Sequence, residues 1–443
     1  MDRLLIIYQR IARIARTVVL WLSPGLGVKR WLATTLAGTT LLGVGAAYLL
    51  LDIYRQLPGT LLGDILANVT LIFLPRWLRA LVFGVLGVGL VIYGVVRLNA
   101  SILRPYIRPG QHVVDTLADF TRRRRGPRVV AVGGGHGLST LLRGLKAHSA
   151  NLTAIVTVAD DGGSSGRLRT SMGILPPGDI RNCLAALSDD EELITQLFQY
   201  RFSDSADELG GHSFGNLFIS AMSELTGSFE SAVAESGRVL AVNGQVLPST
   251  LHDVRLVADK ALPMMQTEVR VEGESRIPQV SGTVRRVWLE PNNAPAFPLA
   301  IQAILNADLI VIGPGSLFTS ILPNLLVSDL AAAIRHSPAL KIYVCNVATQ
   351  PGETDGYSCG DHIHALEEHA GESLFDLIVS NSHQQGELPA LSHWVTTEAR
   401  TSILYPVYSA DVADHAAPGK HDPAKLSQVL IDLWRERTGP LTL

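Results

Sequence analysis

Cysteine is scarce: Cys183, Cys345 and Cys359 are the three in 443 residues, an odd number with no Cys-x-x-Cys pair. Nothing here supports a disulfide framework or a cysteine zinc site, and a reducing compartment is expected for the region that holds them. Charge is sparse too. Charged residues make up 17% of the chain and the formal net charge is -3, which argues against nucleic acid as the main partner. Internal repeats and low-complexity segments are missing. The glycine cluster at 133–137 lacks the Gly-x-Gly-x-x-Gly dinucleotide spacing and the Lys-Ser/Thr ending of a Walker loop.

What is present in excess is apolar surface, and it is local. The chain is 47% hydrophobic with a mean hydropathy of +0.24, high for a soluble protein. Its length suggests two or three structural units. Residues 1–30 mix Leu4, Leu5, Ile7, Tyr8, Ile11 and Ile14 with Arg3, Arg10, Arg13 and Arg16, the pattern of a basic amphipathic juxtamembrane helix. A signal peptide would need a shorter apolar core and a small-residue cleavage site, and neither is convincing. Two apolar runs follow, at about 31–51 and 77–98, each near the length of a spanning helix. The reading is a transmembrane hairpin over 31–98, with a buried soluble hairpin as the alternative. Leu61 to Leu74 carries Asp64 and Asn68 and ends at Pro75, so it reads as interfacial rather than as a third span.

Arginine and lysine crowd the segment before Trp31 and the basic linker 99–127, while Arg55, Arg76 and Arg79 are the basic residues between the spans. The positive-inside rule then puts both ends in the cytoplasm and makes the chain a multi-pass protein of the inner membrane. Beside a membrane helix, Arg122–Arg125 reads as a lipid-headgroup clamp.

Gly126-Pro127 opens a cytosolic α/β domain over 128–443. The run Arg128–Val132 stops at Gly133, Gly134, Gly135, His136, Gly137 and Leu138, and a helical pattern follows over 139–148. Strand, glycine turn and helix aim backbone N–H groups at an anion, so a phosphate-bearing ligand is expected there; the alternative is an ordinary tight turn. A second strand, 152–159, runs into Asp160, Asp161, Gly162, Gly163, Ser164, Ser165 and Arg167. Those carboxylates suit a divalent cation held by Asp160 or Asp161, or the hydroxyls of a ribose or sugar, and an exposed acidic turn is the alternative. Arg167 and Arg169 are natural counter-charges. Asp179 reads as a helix N-cap that leaves Arg181 and Asn182 in the first turn. Helical periodicity runs over 184–202, and His212, Ser213 and Asn216 open another helix, where a Ser-His hydrolase is not expected.

Residues 265–290 alternate as a small β insertion. Strands over 308–312, 341–347 and 375–380 and a closing helix over 424–437 resume the α/β rhythm. Their loops carry Gly313, Gly315, Ser316, Thr319 and Ser320, then Asn346, Thr349 and Gln350. Several polar loops at the strand ends of a parallel sheet point to one ligand cleft. His362 and His364 read as a solvated helix start rather than as metal ligands.

Taken together these loops resemble the YvcK/CofD family, in its gluconeogenesis-factor branch. The pattern runs in order as Gly-Gly-Gly-His-Gly-Leu (133–138), Val-Ala-Asp-Asp-Gly-Gly-Ser-Ser-Gly-Arg-Leu-Arg (158–169) and Leu-Pro-Pro-Gly-Asp-Ile-Arg-Asn (175–182). It continues as Gly-His-Ser-Phe-Gly-Asn-Leu (211–217), Leu-Pro-Ser-Thr (247–250), Gly-Pro-Gly-Ser-Leu-Phe-Thr-Ser (313–320) and Asn-Val-Ala-Thr-Gln-Pro-Gly-Glu-Thr (346–354). The resemblance implies a Rossmann-like parallel sheet with helices on both faces, preceded here by two transmembrane helices that the basic family domain does not have. It implies a UDP-sugar or related nucleotide as ligand and a role in carbon metabolism and in cell-envelope and cell-shape processes. The related CofD branch moves a phospholactyl group from a guanosine dinucleotide to a deazaflavin with Mg²⁺. A non-catalytic binder is the preferred expectation, and a Mg²⁺-dependent transferase is the alternative. Membrane lipid and a second copy of the chain are the remaining expected partners. His136 stands where the family usually has threonine.

Overall fold

The computed structural model describes residues 39–40, 43, 46–47, 71, 74–103, 122–188, 191–203, 209–262 and 267–438. The chain divides into two compact units, Met1–Arg122 and Arg123–Leu443.

In the first unit a helix runs from Arg76 to Leu103. Pro75 precedes it, a residue that fits the start of a helix, where its missing N–H leaves no bond unmade. Within it Trp77–Val95, 19 residues, is long and apolar enough to cross a membrane. Its surface is apolar on all sides, with Trp77, Phe83, Val85, Leu86, Leu90, Ile92 and Tyr93 exposed. Of the expected span at 31–51, Thr39, Thr40, Gly43, Ala46 and Ala47 are helical and the rest lies outside the described residues. The amphipathic segment 1–30, most of 61–74 and the linker residues 104–121 also lie outside them.

The second unit is built on a seven-stranded sheet. Its strands are β1 (Val129–Gly133), β2 (Leu152–Val156), β3 (Gln245–Pro248), then, after the insertion strands β4 (Arg255–Ala261), β5 (Glu268–Glu272) and β6 (Thr283–Glu290), β7 (Leu309–Ile312), β8 (Leu340–Val344), β9 (Leu377–Asn381) and β10 (Val407–Ala410). The order across the sheet is β10-β9-β8-β7-β1-β2-β3, and every neighbouring pair is parallel. Every residue of β1, β2, β7 and β9 is buried, as β-branched strands covered by helices on both faces require. Helices Gly135–Leu145, Gly178–Leu187 and Pro423–Thr438 pack together. The first and last approach so closely that a Cβ on Gly144 would overlap the Pro423 carbonyl.

The chain winds outward from β1 through β2 to β3, then returns to place β7 on the other side of β1. That reversal opens a crevice beyond the carboxyl ends of β1 and β7, where sheets of this kind hold their ligands. Register keeps the ends level: Gly133 pairs with Val156, Val132 with Ile312, and Ile312 with Tyr343.

Some local expectations shift. The first helix begins at Gly135, inside the glycine run, because Gly134 is extended and Gly135 takes a φ of +62°. Asp179 is not an N-cap: Pro177 is, and Asp179 sits in the first turn of Gly178–Leu187. The helical pattern over 184–202 breaks at Ser188, which turns to extended backbone and donates its hydroxyl to the Leu240 carbonyl, before Glu191–Gln199 resumes. The insertion is an antiparallel sheet ordered β5-β4-β6, whose central strand precedes the stretch expected from alternation.

Candidate functional site

The crevice at the β1/β7 reversal opens into a cavity of about 440 Å³. Gly134, Gly135, His136 and Gly137 form one wall, and Gly315, Ser316, Thr319 and Ser320 the facing one. The two loops touch through backbone: a Cβ on Gly137 would lie 2.5 Å from the Pro314 carbonyl oxygen. Asn346 locks them to β8, accepting the Gly315 N–H at 3.3 Å and donating to the Gly315 carbonyl at 2.9 Å. Gln350, also on the wall, donates to Ser316 Oγ at 2.8 Å and leaves its own buried Oε1 without a protein partner.

Asp160 and Asp179 complete the set of sequence-derived candidates that line the cavity. Asp161, one residue along, points elsewhere and accepts the Ser275 N–H at 2.9 Å. Ser164, Ser165, Arg181, Asn182, His212, Ser213 and Asn216 form a buried polar cluster off the cavity lining. There Ser164 Oγ stands 3.0 Å from His212 Nδ1, Asn216 donates to Ser164 Oγ, and Arg181 donates to Ser213 Oγ and Asn182 Oδ1. Gly211 to Gly215 does spell Gly-x-Ser-x-Gly, but Ser213 is fully buried and caps the helix Phe214–Thr226 by accepting the Asn216 N–H. Among the described residues the element directly before it is the helix Glu191–Gln199 and not a strand of the sheet, so the strand-turn-helix of a nucleophile elbow is not formed there. Gly162 and Gly163 start the helix Gly163–Met172.

Other candidates serve the frame. Gly133 ends β1 and its carbonyl accepts Asn324 Nδ2, Leu138 is in the core, and Gly313 donates to the Val132 carbonyl. Thr349 exchanges hydrogen bonds with His393. Arg167 donates to the Gly210 carbonyl, and Arg169 binds the Val254 carbonyl and Asp253, so neither lines the cavity. His362 is buried against Tyr357 while His364 is exposed, so they share no face of Cys359–Ala370.

Sequence reasoning missed Thr140, Thr157, Glu274, Val347 and Ala348 on the lining, and also Gly419, Lys420 and His421. The last three precede the closing helix in Pro-Gly-Lys-His-Asp-Pro, a polar, glycine-bearing helix start of the kind noted elsewhere. Glu274 follows β5 in the insertion, where no local signal marks it.

Three acids share the cavity lining. Burial raises the Glu274 pKa to about 8, with Asp160 and Asp179 adding to it. Burial likewise lifts Asp179 to about 7, helped by Asp160 and opposed by a hydrogen bond from the Gly135 N–H and by the Arg181 charge. Asp160 is raised by burial although the Gly162 N–H and Ser165 hydroxyl hold its carboxylate. A fourth acid, Glu353, is raised to about 7 by burial and accepts hydrogen bonds from Thr319 Oγ1 and from the Phe318 and Thr319 N–H groups. The first turn after the Gly313 loop is therefore capped from inside the protein. Burial and then the charges of Arg181, Arg143 and Lys420 hold the His136 imidazole below its usual pKa. Burial lowers His421 to about 4, and neither of its ring nitrogens has a protein partner.

The Mg²⁺ that the resemblance implies for the transferase branch fits this chain: Asp160, Asp179 and Glu274 put hard carboxylate oxygens on one cavity.

Comparison with known proteins agrees with the fold. The family profile described as 2-phospho-L-lactate transferase CofD matches residues 129–419. A relative from Nostoc sp. is 48% identical over 432 residues, spanning 93% of this chain and 91% of its own length. The gluconeogenesis factor of Bacillus subtilis is 45% identical over 327 residues, 70% of this chain and 99% of that protein. A crystal structure of a UPF0052-family protein from Bacillus halodurans superposes with a TM-score of 0.63 at 40% identity, covering 69% of this chain and 99% of its own. Sheet order, the glycine loops at the β1/β7 crevice and these relatives agree: the chain belongs to the CofD/YvcK family and stands among its gluconeogenesis factors.

Proposed function

We propose that this chain binds a nucleotide sugar of the UDP-sugar type, without turning it over, and acts as a YvcK-like regulator of carbon metabolism and cell-envelope processes. One observation carries the reading: two glycine loops meet at the sheet reversal and open on a polar cavity lined by Asp160, Asp179 and Glu274 together with His136, Lys420 and His421. Its volume falls in the range of small-molecule sites, roughly 300–1,000 Å³. A diphosphate suits the Lys420 ammonium and the backbone N–H groups of the glycine loops, while sugar and ribose hydroxyls suit Asp160, Asp179 and Glu274. A carboxyl group near its pKa serves hydroxyls well, since it accepts when ionised and donates when protonated.

The second reading, a Mg²⁺-dependent transferase of the CofD type, is favoured by the same three acids. A bound Mg²⁺ would neutralise phosphate charge there, with Asp160, Asp179 and Glu274 as its holders. The two readings separate by experiment. UDP-sugars are titrated calorimetrically into wild type and Asp160→Asn, with and without Mg²⁺, while mass spectrometry searches for product. The binder reading expects unchanged ligand, little effect of Mg²⁺, and affinity weakened about tenfold in the variant, about 1–2 kcal/mol for a lost charge-assisted hydrogen bond. Mg²⁺-dependent conversion of the ligand would refute it.

The regulator works at the inner face of the membrane in this proposal, anchored by two spans with both ends cytosolic. The apolar helix Trp77–Val95 and the arginine distribution support the anchor.

A further inference from the structure

A pair of loops away from the cavity lining brings together a different chemistry. His383 lies just beyond Asn381, the last residue of β9, and Asp411 follows Ala410, the last residue of β10; His415 comes next on the same loop. One donor atom from each of His383, Asp411 and His415 lies within 4.8 Å of the other two, the one such group of histidine, cysteine and acidic side chains among the described residues. The two imidazoles stack with ring centroids 4.1 Å apart, and His415 Nε2 is 3.0 Å from Asp411 Oδ2.

The backbone holds these donors in place. β9 and β10 are parallel with Asn381 opposite Ala410, so both loops leave the sheet at one level. The buried Asn381 side chain then joins them: its Oδ1 accepts the N–H groups of His383 and Val412, each at 3.3 Å, and its amide donates to the His383 carbonyl. An asparagine that fixes two ligand-bearing loops is the outer support that metal centres depend on.

A cation already marks the spot. The Lys425 ammonium is 2.8 Å from Asp411 Oδ2, 2.9 Å from His415 Nε2 and 3.1 Å from the Ala413 carbonyl oxygen. His415 Nε2 lies within reach of both the ammonium and the Asp411 carboxylate, and in the tautomer protonated at Nδ1 it presents a lone pair, which is the ligating form. Two imidazoles with one carboxylate suit zinc-class cations, whereas Mg²⁺ and Ca²⁺ take all-oxygen sets. We propose that His383, Asp411 and His415 form a binding site for a divalent d-block cation of the zinc class, with the Lys425 ammonium as its internal competitor. Metal binding releases Lys425 to solvent, and three protein donors leave a coordination position for water. The effect reaches the ligand cavity. Asp411 and His415 start the segment that ends in Gly419, Lys420 and His421 on the cavity wall, closed by the Ala413–His421 bridge and the Asp414 N–H bond to the Lys420 carbonyl. A metal at the base of that segment fixes the wall.

The test uses the full chain in detergent, stripped by chelator and titrated with Co²⁺ for visible absorption and with Zn²⁺ against a chromogenic chelator. A single Co²⁺, displaced by Zn²⁺, is expected. His383→Ala and His415→Ala should each weaken Zn²⁺ binding by about tenfold or more. Lys425→Met should tighten it, because the competing ammonium is gone, and Asp160→Asn should leave it unchanged. The site is overturned if both histidine variants bind within about twofold of wild type, if Lys425→Met weakens binding, or if Asp160→Asn abolishes it, which would place the metal in the cavity instead.

Discussion

At the scale of single residues, the cavity is defined by acids that fold against their own ionisation. Asp179 keeps its proton up to about 7 because burial and the nearby Asp160 disfavour its charge. An unfolded aspartate ionises near about 3.9. Between those values the native state holds more protons than the unfolded chain, so this residue lowers stability as pH rises from about 4 to about 7. Asp179→Asn removes that cost and keeps an acceptor for the Gly135 N–H. The variant should be more stable than wild type at pH 8, by about 2–4 kcal/mol, and equal to it near pH 4, as read by urea unfolding at both pH values. A variant no more stable at pH 8 would contradict the burial argument. That Asp160 and Asp179 lie on loops facing one cavity was legible from their glycine-flanked strand ends; that Asp161 turns to the Ser275 N–H instead was not, because neighbours in sequence are separated only by the insertion that folds over them.

At the scale of elements, the glycine run shows how much of a motif is turn and how much is packing. Gly133 has ordinary backbone, and an added Cβ would rest 3.7 Å from Leu138 Cβ, a normal contact. Gly137 has no such room: its Cβ would meet the Pro314 carbonyl at 2.5 Å and Gly315 Cα at 2.9 Å, both backbone of the facing loop. Gly137→Ala should therefore force the two loops apart, lowering stability by about 1–3 kcal/mol and weakening ligand binding. Gly133→Ala should keep both near wild type. Thermal unfolding with and without the nucleotide sugar checks the pair; equal effects of the two substitutions would mean the loops do not bear on each other. The sequence pattern identified strand, glycines and helix correctly in order. It placed the helix start four residues late, since the positive φ that lets Gly135 join the helix leaves no trace in hydrophobic periodicity.

At the scale of the whole molecule, the proposed anchor makes a definite topological claim. With arginine concentrated before residue 31 and after residue 97, the segment between the spans should face outward. A cysteine introduced near Gly59 should react with an impermeant reagent added to intact cells, one at Gly126 should not, and removal of residues 1–122 should release the protein from membranes. Labelling at Gly126 from outside would overturn the topology.

Hydropathy and local pattern were enough to identify the parallel α/β domain, the loops at its strand ends and the apolar stretch within Arg76–Leu103, because each depends on a run of neighbouring residues, and the family followed from the resemblance of those loops to a known one. Which loop residues meet was settled only by tertiary structure. Glu274 reaches the cavity from a β insertion, and Lys420 and His421 reach it from the approach to the closing helix, so no local window contains the site. The same holds for charge: a carboxyl group has an ordinary affinity for its proton until folding buries it beside others, and that burial exists only when distant segments have closed over it.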